Sequence, residues 1–301
     1  MLFCDAAMDP LIIVFGLGVG ILVGLTGIGG GSLMTPLLLI VIGTQPVVAV
    51  GTDIAYGAIT KTVGGWQHLR NRTVDLGVSF WLAVGSCPGA VGGVILVESL
   101  PSPPDEALLW GVAGALGLTA IITLVRALFI RDVAAKERES VALTTKAKVT
   151  AVGLGLVLGF ILGVTSVGSG ALIGLALILV FRLTPHRVVG TDVFHAAVLL
   201  WAAGIAHAVA GNIDYGLMGN ILIGSIPGVL VGERLARVVP PGGLRPALGA
   251  TMLAASLGVS SKAGLDLPAY AILGPPIIVL VAAYLLTRSR NRRAALAAQP
   301  V

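Results

Sequence analysis

The sequence predicts an all-α protein that crosses a membrane many times and is built from two inverted copies of one unit. Three observations lead to this prediction: charged residues are scarce, long apolar segments follow one another, and polar positions of the first half recur in the second. Only 11% of the 301 residues are charged and the mean hydropathy is +1.00, whereas a soluble globular protein carries about 25% charged residues. Such a chain cannot cover its surface with polar groups and therefore belongs in lipid.

Apolar segments account for most of the chain. Two of them, Leu11–Ile42 and Ala147–Phe181, are interrupted by glycines and are too long for one straight span at about 1.5 Å per residue. We expect each to form a re-entrant helical hairpin. The remaining segments have about the length of one crossing, roughly 17–25 residues, and they are Val47–Gly65, Leu76–Val97, Ala107–Ile130, Val188–Ala210, Tyr215–Val231, Leu244–Val259 and Ala269–Leu286.

An internal repeat relates the two interrupted regions. A shift of 139 residues, without a gap, aligns residue types that chance similarity between hydrophobic segments would not align. The matched pairs include Thr26 with Thr165, Gly29 with Gly168, Gly31 with Gly170, Asp53 with Asp192, His68 with His207 and Asp75 with Asp214. The chain therefore contains two related halves, a pattern that many secondary transporters share.

The basic loops predict the orientation of each half, because Lys and Arg mark the cytoplasmic side of a membrane protein. Basic residues cluster at Arg70–Arg72, Arg131–Lys148, Arg182–Arg187, Arg234–Arg245 and Arg288–Arg293. The N-terminus and the acidic loop Glu98–Glu106 are assigned to the outside, and the C-terminus to the cytoplasm. These assignments agree only if each interrupted region makes an even number of crossings. Three spans then follow in each half, so the second half enters from the opposite face.

This topology divides the chain into four parts. Residues 1–130 form an N-terminal transmembrane repeat and 131–148 a charged cytoplasmic linker. Residues 149–262 form the inverted C-terminal repeat, and 263–301 add an extra span with a basic cytoplasmic tail. The linker is short and charged, which is typical of a solvated connector.

The two glycine-rich breaks are the predicted binding site. Non-helical backbone at membrane depth is tolerated only where protein or water satisfies its polar groups, and paired breaks in inverted halves are typical of transporter sites. Free N–H groups at a helix start, together with the helix dipole, favour an anion. The predicted substrate contacts are Thr26, Gly27, Gly29, Gly30, Gly31 and Ser32 in the first break, and Thr165, Ser166, Gly168, Ser169 and Gly170 in the second.

Other glycines have a simpler role, because small residues at four-residue spacing let two helices approach closely. We predict helix packing of this kind for Gly16, Gly20 and Gly24 and for Gly155, Gly159 and Gly163.

The repeated motif Val-Gly-Thr-Asp supplies candidate coupling or gating residues, namely Thr52 with Asp53 and Thr191 with Asp192. An aspartate at the centre of a span costs about 2.5–3.5 kcal/mol on insertion scales, so it usually marks function. The alternative is that each aspartate caps the start of its helix, where it is nearly free of cost. Both explanations stay open at this point.

Four further side chains carry a functional hypothesis beside a structural one. His195, three residues after Asp192, can relay protons or be a satisfied buried histidine. Lys61 is a candidate anion contact, although snorkelling toward the cytoplasmic surface is the favoured explanation. His68 and His207 are expected to lie at the membrane interfaces.

At this point the motifs resemble a known family. The segment Gly29–Pro36 followed by Ala49–Thr52, echoed by Thr165–Gly170 and Val189–Asp192, is similar to the TauE/SafE family of sulfite exporters. The resemblance covers both halves. It implies a bacterial or archaeal inner-membrane transporter of sulfite, sulfoacetate or other organosulfur anions. The halves are not identical, since Ser169 matches Gly30.

The resulting hypothesis is a secondary transporter that exports a small sulfur-containing anion, with the proton as its candidate coupling ion, rather than an enzyme. A passive anion channel is the first alternative. An intramembrane serine hydrolase is the second, with Ser169 as nucleophile and His195 or His207 as base. The expected partners are a small anion and the lipid bilayer, without nucleic acid, metal or cofactor. The chain is compatible with a monomer or a homodimer.

Overall fold

The computed structural model of the chain describes residues 8–26, 31–100, 105–128, 138–236 and 241–297. Within these ranges the chain is helical and contains no strand. The helices are α1 (Pro10–Thr26), α2 (Gly31–Leu37), α3 (Pro46–Arg70), α4 (Leu76–Ser99), α5 (Asp105–Leu128), α6 (Thr145–Thr165), α7 (Leu172–Leu179), α8 (Pro185–Ala210), α9 (Tyr215–Ala236), α10 (Pro241–Ser260) and α11 (Ala269–Ala297). Short π-helical turns follow α2, at Leu38–Ile42, and α10, at Ser261–Leu265.

Helix length and burial confirm the predicted class, an all-α protein that crosses a membrane several times. Among the described residues, five helices are long and apolar enough to span a bilayer: Leu76–Ser99, Asp105–Leu128, Thr145–Thr165, Pro185–Ala210 and Tyr215–Gly232. Large apolar side chains such as Phe80, Trp201 and Ile278 are exposed, whereas polar residues are buried inside the bundle. Such a distribution suits a surface in contact with lipid.

Local chemistry fixes where the main helices begin. Pro46 and Pro185 are the first residues of α3 and α8, a position that suits proline because its missing N–H would be unpaired there anyway. Asp75 accepts a hydrogen bond from the Val78 N–H at the start of α4, at 3.0 Å. Asp214 caps the start of α9 in the same way.

Glycines bring two helix pairs into close contact, α1 with α9 and α4 with α6. A Cβ atom on Gly155, Gly159 or Gly163 would collide with a main-chain carbonyl of α4, and on Gly16 or Gly20 with one of α9. The predicted packing role of these glycines is therefore confirmed. Each of these pairs joins a helix from one half of the sequence to a helix from the other, so the halves interlock.

Several contacts recur at the 139-residue shift. The Thr52 hydroxyl accepts a hydrogen bond from the Asp214 N–H at 3.0 Å, and the Thr191 hydroxyl accepts one from the Asp75 N–H at 2.9 Å. Both threonines therefore hold the turn before a helix of the other half. Helices α3 and α8 also pack on each other, as do α5 and α10.

We predict that Gly159→Ala lowers the melting temperature of the detergent-solubilised protein, because the added methyl would meet the Ser86 main chain. Overpacking of this kind costs about 1–3 kcal/mol. Gly153→Ala is the matched control, since it lies on the same helix with open space at its Cβ position. Equal melting temperatures for both variants would contradict the close-packing account.

Candidate functional site

The two repeat-related aspartates lie inside their helices. Asp53 and Asp192 are each the eighth residue of α3 and α8, and both are buried. The helix N-caps are instead Gln45 and Thr184. The capping explanation for the two aspartates is therefore wrong, because each lies about two turns beyond the helix start.

Asp53 connects the two interrupted regions. Its Oδ2 atom accepts hydrogen bonds from the hydroxyl of Thr35 in α2 and, at 2.9 Å, from the hydroxyl of Ser166 after α6. Its Oδ1 atom has no hydrogen-bond partner within the described part of the chain. Sequence reasoning missed Thr35. The feature that could have indicated this residue is its hydroxyl, which lies alone in the apolar stretch after the first break.

The second break is a well-defined turn. Helix α6 ends at Thr165, and Ser166 then takes a left-handed conformation with φ 59°. Gly168 and Gly170 also have positive φ values, 137° and 95°, which glycine adopts without steric cost. The Ser166 N–H donates to the Leu162 carbonyl at 2.7 Å, and the Val167 N–H donates to the Thr165 hydroxyl at 3.2 Å.

Asp192 contacts this break directly. The Gly170 N–H donates a hydrogen bond to the Asp192 Oδ1 atom at 3.2 Å. Gly170 lies two residues before α7 begins, where the orphan N–H groups of a helix favour negative charge. The carboxylate of α8 therefore satisfies a main-chain donor where we predicted a bound anion.

Lys61 reaches the same break from α3. Its Nζ atom donates to the Ser169 hydroxyl at 3.0 Å, and the residue is only 8% exposed. The favoured explanation, snorkelling toward the surface, is therefore wrong. In the described ranges no carboxylate lies within 4.0 Å of Nζ, so a buried ammonium with three donors has a single hydroxyl as its partner. Asp192 and Asp53 act on Lys61 from beyond hydrogen-bond distance, and an anion beside Nζ would supply the close partner that a buried charge requires.

The histidines have separate partners. His195 is buried with its Nε2 atom 3.3 Å from the Ser86 hydroxyl of α4. His207 is also buried, lies in the last turn of α8, and donates from its Nε2–H to the Gly163 carbonyl at 3.1 Å. Neither histidine contacts Ser169, whose partner is Lys61. The serine–histidine arrangement of the hydrolase hypothesis is therefore not formed.

The first break is described at its two edges. Thr26 is the last residue of α1, and Gly31 and Ser32 are the first two of α2. The predicted contacts Gly27, Gly29 and Gly30 lie outside the described residues, as do the side chains of Thr26 and Ser32. The site contacts that the structure defines therefore belong to the second break and to Thr35.

A second cation lies near α7. The Arg126 guanidinium, from the last turn of α5, is 3.8 Å from the position that a Cβ atom on Gly174 would take. Sequence reasoning attributed basic residues near span ends to topology alone and so missed Arg126. In the described part of the chain, no group of three His, Cys, Asp or Glu side chains is arranged to hold a metal ion.

The sequence is similar to a known family of membrane proteins. The family model described as "Sulfite exporter TauE/SafE" matches residues 12–259. This chain belongs to the TauE/SafE family. The resemblance inferred from the glycine and Val-Gly-Thr-Asp motifs is thereby confirmed.

Curated relatives in the TauE/SafE comparison come from Bacillus subtilis (strain 168). The probable membrane transporter protein YjnA is 40% identical over 253 residues, which cover 83% of this chain and 99% of that protein. YdhB, with the same description, is 27% identical over 79% of this chain and 94% of its own length. YunE is 23% identical over 76% of this chain and 87% of its own length. No solved structure matches the chain. The chain is a multi-pass membrane transporter by family.

We predict that Asp53→Ala destabilises the protein, because the hydroxyls of Thr35 and Ser166 would lose their buried acceptor. Hydrogen bonds to a charged group contribute about 1.5–3 kcal/mol each, so the melting temperature in detergent should fall by several degrees. Asp53→Asn keeps one oxygen acceptor and should lose less. A variant Asp53→Ala as stable as the parent would contradict the bridging role of Asp53.

Proposed function

We propose that this TauE/SafE protein is a secondary transporter of a small sulfur-containing anion that binds beside Lys61 at the second break. The observation that carries the proposal is the buried Lys61 ammonium, which has one hydroxyl partner and no carboxylate within ion-pair distance in the described residues. An oxyanion such as sulfite, or the sulfonate group of sulfoacetate, has the charge and the acceptor oxygens to fill the remaining donors. The family description as a sulfite exporter supports this substrate class and the outward direction.

In this proposal, the protein consists of two inverted repeats that surround the site. The recurrence of the Thr52–Asp214 and Thr191–Asp75 contacts supports it, as does the cross-pairing of α1 with α9 and α4 with α6. The basic segments give an N-terminus outside and a C-terminus in the cytoplasm. The membrane is the cytoplasmic membrane of a bacterium or archaeon.

Transport would proceed by movement of the two halves around the paired breaks. Asp53, Asp192 and His195 are buried titratable groups beside the site, so one of them can carry a coupling proton. Gly27, Gly29 and Gly30 of the first break lie outside the described residues. They complete the proposed contact set together with Thr26, Gly31, Ser32 and the second-break residues.

We predict that Lys61→Gln lowers the affinity for sulfite by about 10–100-fold, the equivalent of one charge-assisted hydrogen bond. The measurement is radiolabelled sulfite transport by proteoliposomes over a range of sulfite concentrations. Lys146→Gln is the matched control, because Lys146 is exposed in the first turn of α6. An unchanged concentration dependence in Lys61→Gln would contradict the site. Competition by sulfate, thiosulfate, sulfoacetate and taurine then ranks the substrates.

An exchange assay separates the transporter from the passive channel that is its alternative. Vesicles preloaded with unlabelled sulfite should accumulate labelled sulfite transiently, because a carrier couples inward and outward steps on one site. A channel dissipates the gradient without this counter-transport. If labelled sulfite enters the vesicles much faster than in the protein-free control but shows no exchange, the channel is favoured.

A further inference from the structure

Asp192 of α8 contacts Gly170, one of the predicted substrate contacts in the second break. We propose, on the basis of the transporter function above, that the Asp192 carboxylate holds the position that the transported anion takes. The anion must then displace Asp192 from the Gly170 N–H in order to bind. Asp192 is in this view a tethered competitor that sets which anions the site accepts.

The first argument is chemical likeness. A carboxylate and a sulfur oxyanion both present negatively charged oxygens to N–H donors, and both suit the main-chain donors before a helix. The Gly170 N–H already donates to Asp192 Oδ1 at 3.2 Å. The same donor cannot serve a second acceptor equally well, so substrate and Asp192 exclude each other there.

The second argument concerns charge around Asp192. Lys61 from α3 contacts Ser169, the residue before Gly170, and Arg126 from α5 approaches Gly174 in α7. Both cations act on Asp192, while the Lys61 Nζ atom donates its hydrogen bond to Ser169 and not to the carboxylate. An anion that replaces the carboxylate therefore stays in the field of both cations.

The third argument is the difference between the two aspartates. Two hydroxyls, from Thr35 and Ser166, donate to Asp53. The repeat-equivalent positions of these two residues are Gly174 and Gly27, which carry no hydroxyl. Asp192 is therefore held through a main-chain N–H and is the more easily displaced of the pair.

This arrangement also defines the ligand class. An anion that competes with a carboxylate must replace it on a directional N–H donor while engaging the Lys61 ammonium nearby. Anions with several oxygens, such as sulfite and sulfonates, meet both demands. A spherical halide offers one centre and is expected to bind poorly.

The first test measures binding of labelled sulfite to the purified full-length protein. Asp192→Asn keeps the size of the side chain but removes its charge, and should bind sulfite about 10-fold more tightly than the parent. Asp53→Asn is the comparison variant and should gain less, because it removes a buried charge without freeing the Gly170 N–H. Equal or weaker binding by Asp192→Asn, beside a parent that binds, would overturn the proposal.

The second test does not depend on the substrate of the transporter. Asp192→Ala vacates the carboxylate position, so free acetate should bind there and raise the melting temperature of this variant in a concentration-dependent way. In the parent the charged Asp192 carboxylate keeps the position filled, so its melting temperature should change far less at the same acetate concentration. An Asp192→Ala variant that is indifferent to acetate would overturn the proposal. If acetate raises the melting temperature of Asp192→Ala but sulfite binds to neither the parent nor any variant, the proposed substrate is refuted and the anion position is supported.

Discussion

The arrangement of this protein depends on one constraint: a main-chain polar group at membrane depth must find its partner inside the protein. Helix α6 stops at Thr165, and the residues that follow it are buried inside the protein. The N–H groups that follow are satisfied in turn by the Leu162 carbonyl, the Thr165 hydroxyl and the Asp192 carboxylate. A break in the helix therefore requires polar side chains around it, and these side chains form the site.

Close helix packing brings those side chains together. Glycines remove the side-chain layer between α4 and α6 and between α1 and α9, so each broken region is held against a continuous helix of the other half. Helices α3 and α8 meet in the same interior, where Gly65 lies against Phe194. Their contact brings the buried charges of both helices to one region, although Lys61 and Asp192 are far apart in sequence.

The chemistry lies in the departures from the repeat. Lys61 has Leu200 as its counterpart, and Ser169 has Gly30, so the Lys61–Ser169 contact exists once. The two residues whose hydroxyls hold Asp53 have glycines, Gly174 and Gly27, at their repeat-equivalent positions. The two related halves thus share one arrangement of helices. Single differences in sequence between them make the second break cationic and hold Asp53 more firmly than Asp192.

The sequence by itself determined the membrane class, the family and where most of the long helices begin, because hydropathy and helix-breaking residues are local properties. The 139-residue repeat also located the second break, between α6 and α7. Only the tertiary structure decided which charges are buried together. Hydropathy could not show whether Lys61 extends to the surface or is buried, or whether Asp192 caps its helix or lies inside it. It also could not show that Arg126 lies beside α7. Each distinction depends on which helices pack face to face, and that pairing joins residues that are distant in sequence, such as Ser86 and His195, which are 109 positions apart.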